Sequence, residues 1–289
     1  MGLGQVEGRS SVGACELRLG LIGRGIGPSR TPAMHETEAA AQGLSCCYDL
    51  LDMDVRPSDV PLVDILDRAE ADGFAGLNVT FPYKREVMNH LHQLSEAAQR
   101  VGAVNTVVFR DGERFGHNTD FWGFSESLRR GMSDVSPDIV FLIGAGGAGC
   151  AIAHALIDLG VERLLIFDTR SGAADDLAKA VGPRAEAVGD VAAAVAMADG
   201  LVNATPVGMA KLPHSPIDPA LIEARHWVAD IVYFPLETIL LKEARARGCR
   251  TLSGEGMAVF QAVRAFELFT GRAADADRMR DTFRRLGPR

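Results

Sequence analysis

The chain has 289 residues, 47% hydrophobic and 24% charged, a globular composition long enough for one large domain or two ordinary ones. Its formal net charge of −8 argues against nonspecific binding to nucleic acid or anionic membranes and suits a small-molecule enzyme. No run of about eighteen or more apolar residues predicts a membrane span, and MGLGQVEGRSSVGACEL lacks the basic start and apolar core of a signal peptide.

In chain order, ELRLGLIG (16–23) predicts a strand running into the glycine-rich GRGIGPSRTP. A helix follows over about 32–42, closed by Gly43. SCCYDLLDM predicts a second strand, VPLVDILDRAEADG an amphipathic helix and GFAGLNVT a third strand. In GLNVTFPYKREVM (76–88), Pro82 ends the strand because it has no N–H to donate. Lys84 then opens a predicted helix, KREVMNHLHQL, at the end where the dipole favours anions. VGAVNTVVFRDGERFGHNTD reads as a hairpin about Asp111–Gly112, and FWGFSESLRRG as a helix leading to the turn-rich GMSDVSPD.

A new pattern begins at DIVFLIGAGGAGCAIAHALIDLG: an apolar strand, a glycine turn and a helix. The strand RLLIFD, the helix AADDLAKAV, the alanine-rich DVAAAVAMADG, and the strands LVNAT and WVADIVY complete a βαβ series, which implies a parallel sheet covered on both faces. ETILLKEARARG and GMAVFQAVRAFELFTG are further helices. The fold class is therefore α/β: an N-terminal substrate domain, a Rossmann-type doubly wound dinucleotide domain, and C-terminal helices packing back on the first. The boundaries fall at 1–120, 121–255 and 256–289.

The five cysteines, at 15, 46, 47, 150 and 249, form no CxxC pair and no compact cluster with histidine. They read as reduced thiols in a cytoplasmic protein without a metal site, the 46–47 pair as buried filler.

Gly144-Ala145-Gly146-Gly147-Ala148-Gly149 lies between a predicted strand and a predicted helix. Glycines there let the backbone approach a pyrophosphate, which meets the positive end of the helix. Asp168 closes the next strand 24 residues after Gly144, where a carboxylate can bond the ribose hydroxyls. A carboxylate about 4 Å from a 2′-phosphate charge costs on the order of 4 kcal/mol at an effective dielectric of 20. That exceeds an ordinary hydrogen bond, worth about 1 kcal/mol. Thr169 adds no charge, and Arg170 can turn inward, stack on adenine or lie in solvent. The expected cofactor is NAD, with NADP as the alternative.

Six stretches in order, GLNVTFPYK, GAVNTV, GHNTDFWGF, GAGGAG, NATPVGM and GMAVFQAV, resemble the shikimate dehydrogenase family, most closely its quinate/shikimate branch. The resemblance implies a catalytic pair, Lys84 and Asp120, read as a coupled unit that moves a proton while a hydride passes to the nicotinamide. This would account for a cation at Lys84. The resemblance also implies that Ser29 and Thr31 bind a substrate carboxylate at a helix start, with ordinary capping as their plain alternative. Asn78, Thr80, Asn105 and Gln261 would bond ring hydroxyls, and Tyr233 would line the domain interface, although alone it reads as a core residue. Thr205, Met209, Val232, Gly254 and Met257 would line the nicotinamide half, while Gly144 to Ala148, Asp168 and Arg170 would hold the rest of the dinucleotide. His117 and His154 match no catalytic position.

Three departures stand out: Thr31 in place of a second serine, Asp168-Thr169-Arg170 in place of Asn-Arg-Thr, and Glu36 in place of Asn. The first two resemble the quinate-using, NAD-preferring branch. The expected reaction is reversible oxidation of the C3 hydroxyl of shikimate or quinate, or of an amino analogue, by a monomer or homodimer without nucleic-acid or membrane partners. Its rivals are an NADP-dependent biosynthetic dehydrogenase and a noncatalytic dinucleotide sensor.

Overall fold

A computed structural model describes residues 15–55, 60–136 and 138–287. The chain alternates β1 (Leu17–Gly23), α1 (Thr31–Ala41), β2 (Cys46–Asp52), α2 (Leu62–Ala71) and β3 (Gly76–Val79). It continues through β4 (Gln93–Leu94), α3 (Glu96–Val101), the hairpin of β5 (Thr106–Arg110) and β6 (Glu113–His117), and α4 (Thr119–Gly131). These strands form one six-stranded sheet, ordered β2-β1-β3-β5-β6-β4. β1 runs parallel to β2 and β3, whereas β5 is antiparallel to both β3 and β6. The hairpin turns at Asp111 and Gly112, both at positive φ, as the sequence predicts.

The second half follows a strict alternation. It comprises β7 (Ile139–Ile143), α5 (Gly147–Asp158), β8 (Arg163–Phe167), α6 (Ala173–Val181), β9 (Ala185–Ala187), α7 (Val191–Met197), β10 (Gly200–Asn203), β11 (Trp227–Asp230), α8 (Ile239–Ala246) and β12 (Arg250–Leu252). All six strands are parallel, in the order β12-β11-β10-β7-β8-β9. This is the doubly wound order, and the direction of strand succession reverses between β7 and β10. Both faces are covered, so β7, β8 and β10 read as continuous apolar runs. Val140, Leu142, Ile152 and Leu156 pack on one face; Phe141, Leu165, Leu201 and Leu241 pack on the other.

Two helices close the chain, α9 (Glu255–Thr270) and α10 (Ala276–Arg285). Their apolar faces return to the first half: Val259, Val263, Phe266, Met279 and Phe283 share a cluster with Met34 and Ala39 of α1. Among the described residues no helix is long and apolar enough to cross a membrane.

Two expectations fail. The segment from Lys84 does not form the predicted helix; it makes turns, a 3-10 helix (Glu86–His90) and β4. Tertiary pairing overrides helix propensity here. Lys84 O accepts from Val104 N at 2.7 Å, and His92 N and Ser95 N donate to Arg114 O and Gly116 O on β6, drawing the chain to the sheet edge. Nor are all five cysteines reduced. Cys15 and Cys47 form a disulfide with a Cα separation of 5.8 Å. The parallel register places Arg18 opposite Cys47, so the residues leading into β1 lie beside β2. Cys46 is half-buried, whereas Cys150 and Cys249 are buried.

Candidate active site and dinucleotide cradle

Lys84 Nζ lies 2.6 Å from Asp120 Oδ2, their side chains 22% and 11% exposed. The 35 residues between them are folded away by the hairpin. Lys84 is held by its carbonyl's bond from Val104, and Asp120 by its place in the first turn of α4. Asn118 caps that helix, its Oδ1 accepting from Phe121 N at 3.0 Å, so α4 starts earlier than the sequence suggests. A carboxylate at this end is favoured by the helix dipole, and Lys84 reaches the carboxylate, not the bare helix end.

The polar side chains around the pair are held by neighbours that the sequence reading did not single out. The Tyr48 hydroxyl donates to Asn78 Oδ1 at 2.7 Å, and Asn78 Nδ2 donates to Thr106 Oγ1 at 3.1 Å. Asn105 Oδ1 accepts from Thr119 N at 2.7 Å and from Thr119 Oγ1 at 3.1 Å. A backbone donor fixes which way that amide points, so Nδ2 is directed away from Thr119. Thr80 follows β3 and is half-buried, its N–H donating to Ile22 O at 2.9 Å. Ser29 Oγ accepts from Thr31 N at 3.3 Å, but Arg30 holds the cap position of α1 and no side chain caps it, so the capping expectation is not met; both residues remain partly exposed.

Tyr233, after β11, approaches from the second sheet. It is 44% exposed, which corrects its reading as a core residue. Surrounding protein nevertheless pushes its phenol up, and the charges of Lys84, Asp120 and Arg30 are near enough to act on it. Gln261 sits on α9 where that helix packs on α4: a Cβ on Gly123, one turn beyond Asp120, would meet Gln261 N at 2.8 Å. Its amide donates to Ala258 O on its own helix at 3.0 Å. His117 is half-buried on β6, and burial, then Arg264 and Arg110, lower its imidazole. His154 is buried within α5.

The glycine turn sits where the second sheet reverses order. Gly144 has φ +106°, and a Cβ on Gly149 would lie 2.0 Å from Gly144 O, so both must be glycine for the turn to close on its helix. A Cβ on Gly146 or Gly147 would meet nothing within 4 Å. These two leave open space at the N-terminus of α5, as a pyrophosphate requires. Ala145 N donates to Asp168 Oδ2 at 2.7 Å, which ties the turn to the end of β8. Arg170 folds back on the same carboxylate, its Nε and Nη2 each at 3.1 Å. Burial pushes Asp168 up, but Arg170 and the N–H groups of Arg170 and Ala145 outweigh it, holding the carboxyl below its usual range.

Across the switch point, Asn203 closes β10 and organises the following loop. Its Oδ1 accepts from Thr205 N at 3.0 Å and Thr205 Oγ1 at 2.6 Å, and its Nδ2 donates to Val207 O at 2.9 Å. Asp230, buried at the end of β11, accepts from Asn203 Nδ2 at 2.9 Å, Val232 N at 3.0 Å and Thr238 Oγ1 at 2.7 Å. Burial raises its carboxyl to about 6 despite these bonds. Asn203, Asp230 and Thr238 were missed in the sequence; two polar residues ending apolar parallel strands were the available signal. Met209 stays 42% exposed, while Val232 and Met257 are buried. Gly254 caps α9, and a Cβ there would lie 2.2 Å from Ile231 O.

A glycine turn shaped for a dinucleotide on one sheet and a close lysine–carboxylate pair presented by the other fit an NAD(P)-dependent oxidoreductase, which is the class of this protein. The family model described as shikimate dehydrogenase substrate binding domain matches residues 21–107, and that described as shikimate 5′-dehydrogenase C-terminal domain matches 254–282. A quinate/shikimate dehydrogenase (NAD(+)) of Corynebacterium efficiens is 48% identical over 92% of this chain and 96% of its own length. A shikimate dehydrogenase (NADP(+)) of Arthrobacter sp. strain FB24 is 47% identical over 93% and 94%. Among solved structures, quinate dehydrogenase from Corynebacterium glutamicum in complex with NAD superposes with a TM-score of 0.91 at 45% identity, covering 93% of this chain and 99% of that one. The chain belongs to the shikimate dehydrogenase family.

Proposed function

We propose that this protein catalyses reversible, NAD-dependent oxidation of the C3 hydroxyl of quinate and shikimate, giving 3-dehydroquinate and 3-dehydroshikimate. The observation that carries this reading is the 2.6 Å contact between Lys84 Nζ and Asp120 Oδ2, near Tyr233 of the other half. When bound, the dinucleotide would supply the hydride acceptor for C3. The chain must take up the hydroxyl proton, and the Lys84–Asp120 pair does so as one unit, contributing about 10²–10⁴-fold. Asn105 Nδ2, Asn78, Thr80 and Gln261 orient the ring hydroxyls, Ser29 and Thr31 receive the carboxylate at the start of α1, and Tyr233 shields the ring. Loss of one such contact costs about 1–3 kcal/mol, which gives the pocket its selectivity.

For the cofactor, Gly144 to Ala148 take the pyrophosphate, while Thr205, Met209, Val232, Gly254 and Met257 face the nicotinamide half. Asp168 receives the ribose diol and repels a 2′-phosphate. Arg170 is committed to Asp168, so it does not offer a free charge to that phosphate. The rival reading, an NADP-dependent shikimate dehydrogenase, draws on the Arthrobacter relative. Initial rates on quinate and shikimate, each with NAD and NADP, decide between them. NAD preferred on both substrates is the expected result, and a clear NADP preference overturns the role of Asp168.

The proposed division remains 1–120, 121–255 and 256–289; its support is that the first sheet runs from 17 to 117 and the second from 139 to 252. One chain supplies both halves of the site, so a monomer or a homodimer serves equally. The proposed location is the cytoplasm, where free dinucleotide is available. The Cys15–Cys47 pair withdraws the argument from reduced thiols.

A further inference from the structure

We propose that Arg85, the residue after Lys84, is a cofactor-binding residue: its guanidinium reaches from the substrate half to the N-terminal end of α5 and contacts the dinucleotide's pyrophosphate. The inference rests on the dinucleotide reading above and adds a contact from the opposite side of the cleft.

Its geometry comes from the turn that replaces the predicted helix. Lys84 directs its amine to Asp120, whereas Arg85 places Nη2 3.9 Å from Cys150 Sγ. Cys150 lies in the first turns of α5, its N–H donating to Gly146 O at 2.9 Å. One short turn thus sends adjacent cations in two directions, toward the alcohol site and toward the glycine cradle.

Among the described residues no carboxylate pairs with Arg85, and a thiol is a weak partner for a guanidinium. Arg100 makes the contrast: it reaches α5 near its C-terminal end and finds Asp158 at 2.7 Å. The N-terminal end of a helix carries partial positive charge, so a guanidinium there, even one exposed as Arg85 is, is better placed with an anion between them. The space for that anion is present at Gly146 and Gly147, which face nothing within 4 Å. A pyrophosphate brings charges that satisfy the helix end and the arginine together, and guanidinium suits phosphate oxygens by its fork of donors. Arg170, the other arginine near the turn, is already bound to Asp168. Contact with both halves at once makes cofactor binding favour a closed cleft.

The test uses the full chain and binding, not turnover. Dissociation constants for NADH, NADPH, ADP-ribose and AMP are measured for wild type, Arg85→Gln and Arg85→Lys. Arg85→Gln is expected to weaken NADH, NADPH and ADP-ribose in parallel, by about tenfold or about 1.4 kcal/mol. AMP, which lacks the pyrophosphate, stays within about twofold, and Arg85→Lys recovers part of the loss because charge remains without the fork. Unchanged NADH affinity in Arg85→Gln overturns the proposal, and so does an equal loss for AMP. Wild type that binds no dinucleotide overturns the cofactor reading itself and this inference with it.

Discussion

Two ion pairs, one in each half of the molecule, are made differently. Asp168 and Arg170 stand two residues apart at a strand end, with the arginine 63% exposed. Lys84 and Asp120 come from separate elements and are 22% and 11% exposed. The first is a local arrangement that any chain with that spacing can sample; Asp168 is only 9% exposed, but its partner lies largely in solvent, where such pairs contribute about 0–1 kcal/mol. The second removes two charges from most of their water, a cost that attraction repays only in good geometry. Stability offers little reason to keep such a pair, whereas the proposed proton transfer from an alcohol does.

The largest expected effect falls on the buried pair. Lys84→Ala and Asp120→Ala should each lower kcat by about 10³-fold, within the range for a lost acid–base group. NADH affinity should hold, and the double variant should fall little further, because the pair acts as a unit. Near-normal turnover in both single variants would remove the distinction between the pairs, and a noncatalytic sensor would then fit better.

Asp230 sharpens the comparison as a buried carboxylate held by an amide, a hydroxyl and a backbone N–H, with no cation among its bonded partners. Burial raises it from 3.8 to about 6. The native state therefore holds the proton more tightly than the unfolded chain, and its stabilising contribution is lost as pH rises between those values. Asp230→Asn carries no charge, so its stability relative to wild type should climb by up to about 3 kcal/mol across that window and level off above it. Urea midpoints of the two proteins between pH 4 and 7 measure this, and a constant difference would mean that Asp230 is not perturbed. Anchoring Asn203 and Val232 gives Asp230 a positional effect on the loops after β10 and β11 as well.

A smaller change is expected at the local pair. Asp168→Asn keeps an acceptor for Ala145 N and removes the charge, so kcat/KM for NADP relative to NAD should rise by about tenfold or more, judged from the screened repulsion of a 2′-phosphate. No change in that ratio would show that the carboxylate does not face the ribose. Smallest of all, Arg170→Ala should alter unfolding free energy by less than about 1 kcal/mol. A larger loss in a denaturant titration would place Arg170 among the structural residues and erase its contrast with Lys84.

Local pattern was enough for much of this molecule. The apolar strands, the glycine turn with Asp168 at the next strand end, the α6 helix and the Asp111–Gly112 hairpin are set by neighbours within a few residues, where sterics and side-chain alternation act. The shorter elements escaped notice. β9 and β12 have only three residues each, too few to show a period, and pairing with β8 and β11 is what makes them strands. Lys84 and Asp120 could be named from the quoted motifs, but their contact belongs to the hairpin that closes the 36-residue gap. Likewise the turn at Lys84 replaced a helix because Val104 and β6 offered better partners for its backbone, and Cys47 met Cys15 through the β1–β2 register. Tyr48 beneath Asn78 and Thr119 beside Asn105 are contacts of the same long-range kind. The sequence determined which elements form and which chemical groups they carry, because those choices depend on adjacent residues; only the tertiary structure decided which groups meet, because buried polar atoms take whatever partner the packed core brings within reach.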